Sequence, residues 1–182
     1  SLGGPQALRS LLPLLRLGTD AAFVVVQHMT AGFSRRLAED LQNACSLKVR
    51  MAEDRIRLCE GTILLVPGGS DLTLVPGGEI RLTPSRTEGP SPCIDVTMGS
   101  AARAYGARTV GILLTGMEGD GLEGIRQIRE AGGYTLAQDA ASAKVSGMVQ
   151  AALAERLIDR VVPLEQMAPA IERTVLRIAR HP

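Results

Sequence analysis

The chain has 182 residues, a length typical of one α/β domain, and its 45% hydrophobic and 21% charged residues are ordinary for a folded protein. A net charge of +1 gives no support for a nucleic-acid surface, and an aromatic content of 2% provides no stacking platform for single strands. No apolar run approaches the roughly 20 residues that span a bilayer, so we expect no membrane insertion. Three widely spaced cysteines without a CxxC pair indicate reduced thiols and a cytoplasmic location; they are Cys45, Cys59 and Cys93.

The predicted elements of the first half alternate between helices and strands. A Gly-Gly-Pro turn leads into a helix over residues 6–15, and a β-branched run at 21–27 predicts a strand buried on both faces. A helix is predicted over 32–45, with Phe33, Leu37 and Leu41 on one apolar stripe. Strands follow at 47–51 and 62–66, and two alternating runs at 71–83 predict a β-hairpin around a Pro-Gly-Gly turn.

The second half continues this alternation after a polar loop at residues 84–92. We predict a helix over 94–105, a strand over 110–114, and a helix over 122–131 that two glycines end. A strand at 134–137, a mostly helical segment at 140–157, a strand at 160–162 and an amphipathic helix at 164–179 follow. The pattern predicts an α/β fold, a doubly wound and mostly parallel sheet with helices on both faces and one β-hairpin, in a single domain over residues 1–182.

The Gly-rich stretch GILLTGMEGDGLEG at residues 111–124 is the chain's most informative turn. It joins a predicted buried strand to a helix, and such turns lie at the carboxyl edge of a parallel sheet, where ligands bind. Two carboxylates, Glu118 and Asp120, lie inside it. They are placed either to orient another catalytic group or only to favour the helix N-terminus electrostatically.

A histidine and a serine fall at the same predicted edge of the sheet. His28 directly follows the first strand, and Ser1 precedes the two glycines that open the first helix. Serine, histidine and aspartate at one edge can form a nucleophile, a general base and its orienting carboxylate. Each also has a structural interpretation, Ser1 as a helix cap and His28 as a polar strand end. The second histidine, His181, lies next to the last residue and is expected to be solvated.

The same turn contains a competing motif. Gly119, Gly121 and Gly124 form a GxGxxG between a strand and a helix, and Asp139 follows 20 residues after the first glycine. This spacing is typical of dinucleotide sites. Against it, the carboxylates of the turn would repel a pyrophosphate, and the motif comes late in the chain. With one well-placed histidine and no paired cysteines, we expect neither a metal site nor a cofactor.

Several separate stretches resemble one family, the catalytic domains of the bacterial chemotaxis protein-glutamate methylesterases. The family's Ser-x-Gly-Gly motif is matched at residues 1–4, its Gln-His-Met setting at 27–29 and its Thr-Gly-Met-Gly-x-Asp-Gly turn at 115–121. The segments Ala-Gln-Asp at 137–139, Ser-Gly-Met at 146–148 and Val-Val-Pro-Leu at 161–164 also agree. Two departures stand out: Glu118 replaces the usual glycine, and the family's first strand should precede the serine, which is the first residue of the numbered chain.

The resemblance implies a triad of Ser1, His28 and Asp120, with the backbone N–H groups of Leu2 and Met117 as candidate oxyanion donors. It implies hydrolysis of glutamate methyl esters on the cytoplasmic helices of chemoreceptors, with release of methanol. Some members of the family also deamidate receptor glutamines, and a receiver domain is a common further partner.

Three arginines, Arg35, Arg36 and Arg103, are candidates to meet an acidic receptor face, although arginines on a surface are usually only solvated. Two other functions stay open at this point. One is a catalytically inactive signalling module of the same fold, and the other is a dinucleotide-binding enzyme that uses the GxGxxG motif.

Overall fold

The computed structural model describes residues 1–16, 18, 20–85, 91–117 and 119–180. Within these residues, helices and strands alternate. The helices are α1 (Gly4–Leu11), α2 (Ala31–Ala44), α3 (Ile94–Tyr105), α4 (Leu122–Glu130), α5 (Gly147–Ala154) and α6 (Leu164–Arg180), with short 3-10 turns at Leu12–Leu14 and Gly106–Arg108. The strands are β1 (Phe23–Val25), β2 (Lys48–Met51), β3 (Thr62–Leu65), β4 (Ser70–Leu74), β5 (Ile80–Pro84), β6 (Val110–Leu113), β7 (Tyr134–Gln138) and β8 (Arg160–Val162).

The strands form two parallel sheets and one antiparallel hairpin. The parallel sheets have the strand orders β1-β3-β2 and β6-β7-β8, and β4 pairs with β5 in the predicted hairpin. Buried side chains of α1, α2 and α6 pack in one apolar cluster with strands of both sheets. The helices α4 and α5 and the first residue of α3 pack in a second cluster, and the hairpin packs against β3 and α3 in a third. The predicted α/β fold with a mostly parallel sheet is therefore confirmed.

A cavity of about 640 Å³ lies between the two parallel sheets. Its walls include all of β1 on one side and all of β6 on the other, together with leucines of α1, and Ser1 lies among its lining residues. In the part of the chain that the structure describes, β1 and β6 each pair with a strand on one edge only. Each therefore presents an unpaired edge to this cavity. The single continuous sheet implied by a doubly wound fold is thus divided into two three-stranded halves.

Two expectations about the burial of apolar side chains are wrong. The first strand is not buried on both faces: Phe23 and Val24 are only half-buried because β1 borders the cavity. Phe33 does not join the apolar stripe of α2, since it is 65% exposed near the start of that helix, whereas Leu37 and Leu41 are buried.

The segment predicted as mostly helical at residues 140–157 is helical only over α5. Its first part is held in a turn because Asp139 Oδ1 accepts a hydrogen bond from Ser142 N–H at 2.9 Å. Next, Val145 N–H donates to Thr115 Oγ1 at 2.9 Å, and its carbonyl accepts from Gly116 N–H at 2.9 Å. These bonds tie the segment to the turn after β6, and a helix would not leave the same backbone groups available.

No helix in the described ranges is both long enough and apolar enough to cross a membrane. Residues 86–90 of the polar loop, Glu118 and His181 lie outside the described residues.

Candidate active site

His28 and Asp120 meet at the carboxyl edge of the two sheets. His28 follows β1, and Asp120 lies in the turn between β6 and α4. The imidazole Nε2 and the carboxylate Oδ2 are 2.7 Å apart, with side-chain exposures of 14% and 9%. Residues that are 92 positions apart are thus joined by a short, mostly buried hydrogen bond. This is the contact that an orienting carboxylate makes with a catalytic imidazole.

The Asp120 carboxylate is also held by the start of α3. It accepts hydrogen bonds from the backbone N–H groups of Ile94, at 2.6 Å, and Asp95, at 2.8 Å. Burial raises the pKa of Asp120, but the hydrogen bonds from His28 and from these two N–H groups outweigh burial and lower it below its usual value. Asp120 is therefore ionised at neutral pH and can stabilise a cationic imidazole.

Ser1 lies beside the same turn. Its Oγ accepts a hydrogen bond from Met117 N–H at 3.3 Å. Gly116 permits this approach, because a Cβ at that position would come within 2.7 Å of the Ser1 Cβ. Among the described residues, no hydrogen bond joins Ser1 Oγ to His28. Because Nε2 faces Asp120, a proton from the serine hydroxyl could pass only to Nδ1 of this imidazole. Catalytic contacts of this kind are often long in structures without a substrate.

Two backbone N–H groups near Ser1 suit an oxyanion. The Met117 N–H already points at Ser1 Oγ. The Leu2 carbonyl accepts a hydrogen bond from Thr115 Oγ1 at 3.0 Å, whereas the Leu2 N–H has no acceptor within the described ranges. An N–H group that is held beside a nucleophile and is not otherwise engaged can stabilise a tetrahedral oxyanion.

Gln27 is a site residue to which the sequence analysis assigned no role. Its side chain is 4% exposed, and its Nε2 donates to the carbonyls of Ser1, at 3.0 Å, and His28, at 3.2 Å. A Cβ on Gly4 would come within 1.9 Å of the Gln27 Oε1, so the glycine lets α1 approach. One amide thus links the backbones of the serine and the histidine. The sequence feature that could have identified Gln27 is its position, as a polar residue at the end of an otherwise apolar predicted strand.

Thr115 ties the Gly-rich turn to its surroundings in the same way. Its Oγ1 lies 3.0 Å from the Leu2 carbonyl oxygen and 3.1 Å from that of Val145, so its single proton is shared between these two acceptors. Its N–H donates to Gln138 Oε1 at 3.0 Å. Thr115 is 3% exposed and Gln138 is 1% exposed. These buried polar side chains replace the hydrogen bonds that the turn's backbone would otherwise lack.

The GxGxxG motif does not form an available phosphate cradle. The N–H groups of Gly121 and Gly124 donate to Asp95 Oδ1 at 2.9 and 2.6 Å. A carboxylate thus occupies the donors that a pyrophosphate would need and would repel its negative charge. Asp139, the ribose partner in that hypothesis, instead accepts from Ser142. In the described ranges, no group of three or more His, Cys, Asp or Glu residues could hold a metal ion.

The three arginines do not share one location. Arg35 and Arg36 are exposed on α2, within its first two turns after the His28 loop. Arg103 lies in the last turn of α3, about 12 Å along the helix axis from the Asp95 end that faces the site. Arg35 and Arg36 therefore lie near the end of α2 that begins beside the site, whereas Arg103 lies at the far end of α3.

Fold and site together define an α/β protein that gathers a serine, a histidine and an aspartate at the carboxyl edge of parallel strands, the residue set of a serine hydrolase. A model of the CheB methylesterase family matches residues 1–171. The chain belongs to the CheB methylesterase family.

Individual relatives agree with this assignment. A protein-glutamate methylesterase/protein-glutamine glutaminase of Moorella thermoacetica is 42% identical over 176 residues, covering 94% of this chain and 42% of the relative. One from Pseudomonas putida is 38% identical over 168 residues, covering 92% and 45%. The solved CheB methylesterase catalytic domain of Thermotoga maritima superimposes with a TM-score of 0.88 at 31% identity, covering 94% of this chain and 93% of that one. The chain thus spans less than half the length of these two curated relatives.

Proposed function

We propose that this chain is the catalytic domain of a protein-glutamate methylesterase, which hydrolyses glutamate methyl esters on chemoreceptors and releases methanol. By the names of its relatives, the same site also deamidates glutamine side chains. The observation that carries the proposal is the 2.7 Å contact between His28 and Asp120 beside Ser1, whose Oγ already meets a backbone N–H donor.

In this mechanism, Ser1 Oγ attacks the ester carbonyl while His28 Nδ1 takes its proton. The Leu2 and Met117 N–H groups hold the negative oxygen of the tetrahedral intermediate. The intermediate collapses to an acyl-serine as His28 returns the proton to the departing methoxide, which leaves as methanol. A water molecule activated by His28 then hydrolyses the acyl-serine to a glutamate carboxylate. Asp120 holds the imidazole in place and stabilises its cationic form.

The proposed partner is the cytoplasmic helical region of a methylated receptor, which places the protein in the cytoplasm. Arg35 and Arg36, exposed on the helix that follows His28, are positioned to meet acidic side chains on those helices. We propose that residues 1–182 form one catalytic domain. A receiver domain in the same protein is a further proposal, in keeping with the longer relatives.

The proposal is tested by incubating the purified protein with receptor that carries radiolabelled methyl esters and measuring released methanol. We expect turnover in the wild type and a loss of several orders of magnitude in Ser1→Ala. In Asp120→Asn we expect a loss of about 10⁴ in kcat, by analogy with serine proteases. Ser10→Ala is the matched control, since its hydroxyl donates to the Gln6 carbonyl within α1 and its removal should leave the rate unchanged.

Turnover by Ser1→Ala within tenfold of the wild type would refute the nucleophile assignment. No methanol from the folded wild type would instead favour the catalytically inactive module of the same fold. Ammonia release from receptor that carries glutamine at the same positions tests deamidation separately, and Ser1→Ala should abolish it as well.

A further inference from the structure

Helices α3 and α4 cap each other through two aspartates. The Asp120 carboxylate, which precedes α4, accepts the N–H groups of Ile94 and Asp95 in the first turn of α3. In return, Asp95 Oδ1 accepts the N–H groups of Gly121 and Gly124 at the start of α4. Each carboxylate satisfies backbone donors that a helix N-terminus leaves without an intrahelical partner. Four hydrogen bonds therefore join the N-terminus of α3 to that of α4.

These four hydrogen bonds require a close approach of the two helices. A Cβ at Gly124 would come within 2.5 Å of the Met98 Cβ and 3.2 Å of Asp95 Oδ1. Gly121 has φ = 105°, a left-handed conformation that favours glycine, and it precedes the first residue of α4. The chain thus has glycine where the Asp95 carboxylate must reach the α4 backbone.

Asp95 does not touch Ser1 or His28 through any hydrogen bond among the described residues, so it acts on the site through the turn. The two N–H groups from which Asp95 accepts are those of Gly121, directly after Asp120, and Gly124, in the first turn of α4. Asp95 also has a cost to the fold, because burial in the first place, then the neighbouring Asp120 charge, raises its pKa, while the Gly124 and Gly121 N–H groups oppose that rise. A carboxylate in surroundings that disfavour its charge is a common feature of functional sites.

We propose that Asp95 is a positioning residue for the proposed esterase reaction: by bonding Gly121 and Gly124 it holds the 119–121 turn so that the Asp120 carboxylate stays within hydrogen-bond distance of His28. This inference rests on the proposed function for its kinetic consequences, but its structural consequence can be measured without turnover. A displacement of about 1 Å in a catalytic group can lower a rate by about a hundredfold.

The experiment compares the wild type with three variants by two readouts. Asp95→Ala removes the acceptor, and Asp95→Asn keeps a neutral acceptor of the same size. Asp159→Ala is the matched control, because Asp159 likewise accepts a backbone N–H, that of Thr135 at 2.9 Å, but does so at the amino end of β7, away from the site. If Asp95→Ala does not fold, Asp95→Glu replaces it, since the longer side chain displaces the acceptor but keeps the charge.

The first readout is the proton NMR signal of the imidazole N–H that bonds Asp120. It is identifiable because the chain has only two histidines. We expect a downfield, exchange-protected signal in the wild type, Asp95→Asn and Asp159→Ala, and its loss in Asp95→Ala. The second readout is methyl-ester hydrolysis, where Asp95→Ala should lower kcat by about 10- to 100-fold with little change in KM, and Asp95→Asn should restore most of it.

An unchanged imidazole signal in folded Asp95→Ala would overturn the inference, as would equal losses of kcat in Asp95→Ala and Asp159→Ala. If the wild type shows the protected signal and Asp95→Ala loses it but neither releases methanol, the positioning role stands and the proposed esterase function fails. The two conclusions are thus separable.

Discussion

The thiol of Cys93 contacts the same carboxylate that orients His28. Its Sγ donates to Asp120 Oδ1 at 3.5 Å. Burial, chiefly, and the nearby Asp120 and Asp71 charges raise the pKa of Cys93, against a lowering effect from the Val96 backbone N–H. Because a thiolate could not donate to Asp120 and would be repelled by it, Cys93 stays protonated at neutral pH. It serves the site as a weak donor and not as a nucleophile.

The three thiols differ in exposure, and this difference gives a prediction at the residue scale. Cys59 is exposed, whereas Cys45 and Cys93 are half-buried, and burial raises the pKa of both. Since the thiolate is the reactive form, a disulfide reagent at pH 7.5 should modify one thiol of the folded protein rapidly and two slowly. The rapid absorbance phase should disappear in Cys59→Ser. Three thiols that react at one rate in the folded protein would contradict the assignment.

At the scale of elements, the loop after His28 is fixed by a close contact with the loop after β3. Gly68 N–H donates to Ser34 Oγ at 3.1 Å. A Cβ at Gly68 would lie 2.2 Å from the Met29 carbonyl oxygen and 2.6 Å from the Ala31 nitrogen. These are backbone atoms, which cannot move aside as the end of a side chain can. The contact therefore sets where α2 begins and how the His28 loop leaves β1.

We predict that Gly68→Ala destabilises the fold by about 1–3 kcal/mol, as other overpacked substitutions do, and lowers the proposed esterase activity by moving the His28 loop. Gly32→Ala is the matched control, since Gly32 lies in α2 with nothing within 4 Å of an added Cβ. It should leave activity unchanged and stabilise by up to about 1 kcal/mol. Thermal unfolding and methanol release measure both effects, and similar behaviour of the two variants would show that the contact is unimportant.

At the scale of the whole molecule, the 640 Å³ cavity separates two sheets that would otherwise be one. The parallel strands β1 and β6 expose unpaired edges to it among the described residues, and most of the side chains that line it are apolar. Ser1 lies with Gln27 and Thr115 at the carboxyl end of these strands. An apolar strand that leads into Ser1 would therefore run parallel to both neighbours and pair with both edges.

We predict that about six β-branched residues placed directly before Ser1, roughly one ordinary strand, raise the stability of the fold. Burial of a few such side chains should contribute about 2 kcal/mol or more, which corresponds to a rise in Tm of about 4–8 °C. Thermal unfolding measures the rise, and binding of an apolar dye should fall. An extension of equal length made of serine and glycine is the control. Equal Tm values for the two extensions would show that the cavity does not accept a strand.

The sequence sufficed for most elements because their signals are local. Helix α3, strand β8 and the β4–β5 hairpin were predicted nearly to the residue, since apolar periodicity and Gly-Pro turns identify them without knowledge of their neighbours. The same locality explains the main error. Residues 140–146 have helical composition, but hydrogen bonds to Thr115 and Gly116 across the sheet edge hold part of them in another conformation.

For the site, the amino-acid sequence by itself determined which residues stand at strand ends, and its motifs indicated Ser1, His28 and Asp120 as a set. Only the tertiary structure decided which of them touch, that Nε2 of His28 is the nitrogen on Asp120, and that Gln27 and Asp95 bind the surrounding backbone. The physical reason is that the apolar periodicity that predicts a helix or a strand is a property of residues close together in the chain. Its hydrogen-bond partners, here 26 to 92 residues away, are selected only when the sheet and its helices pack.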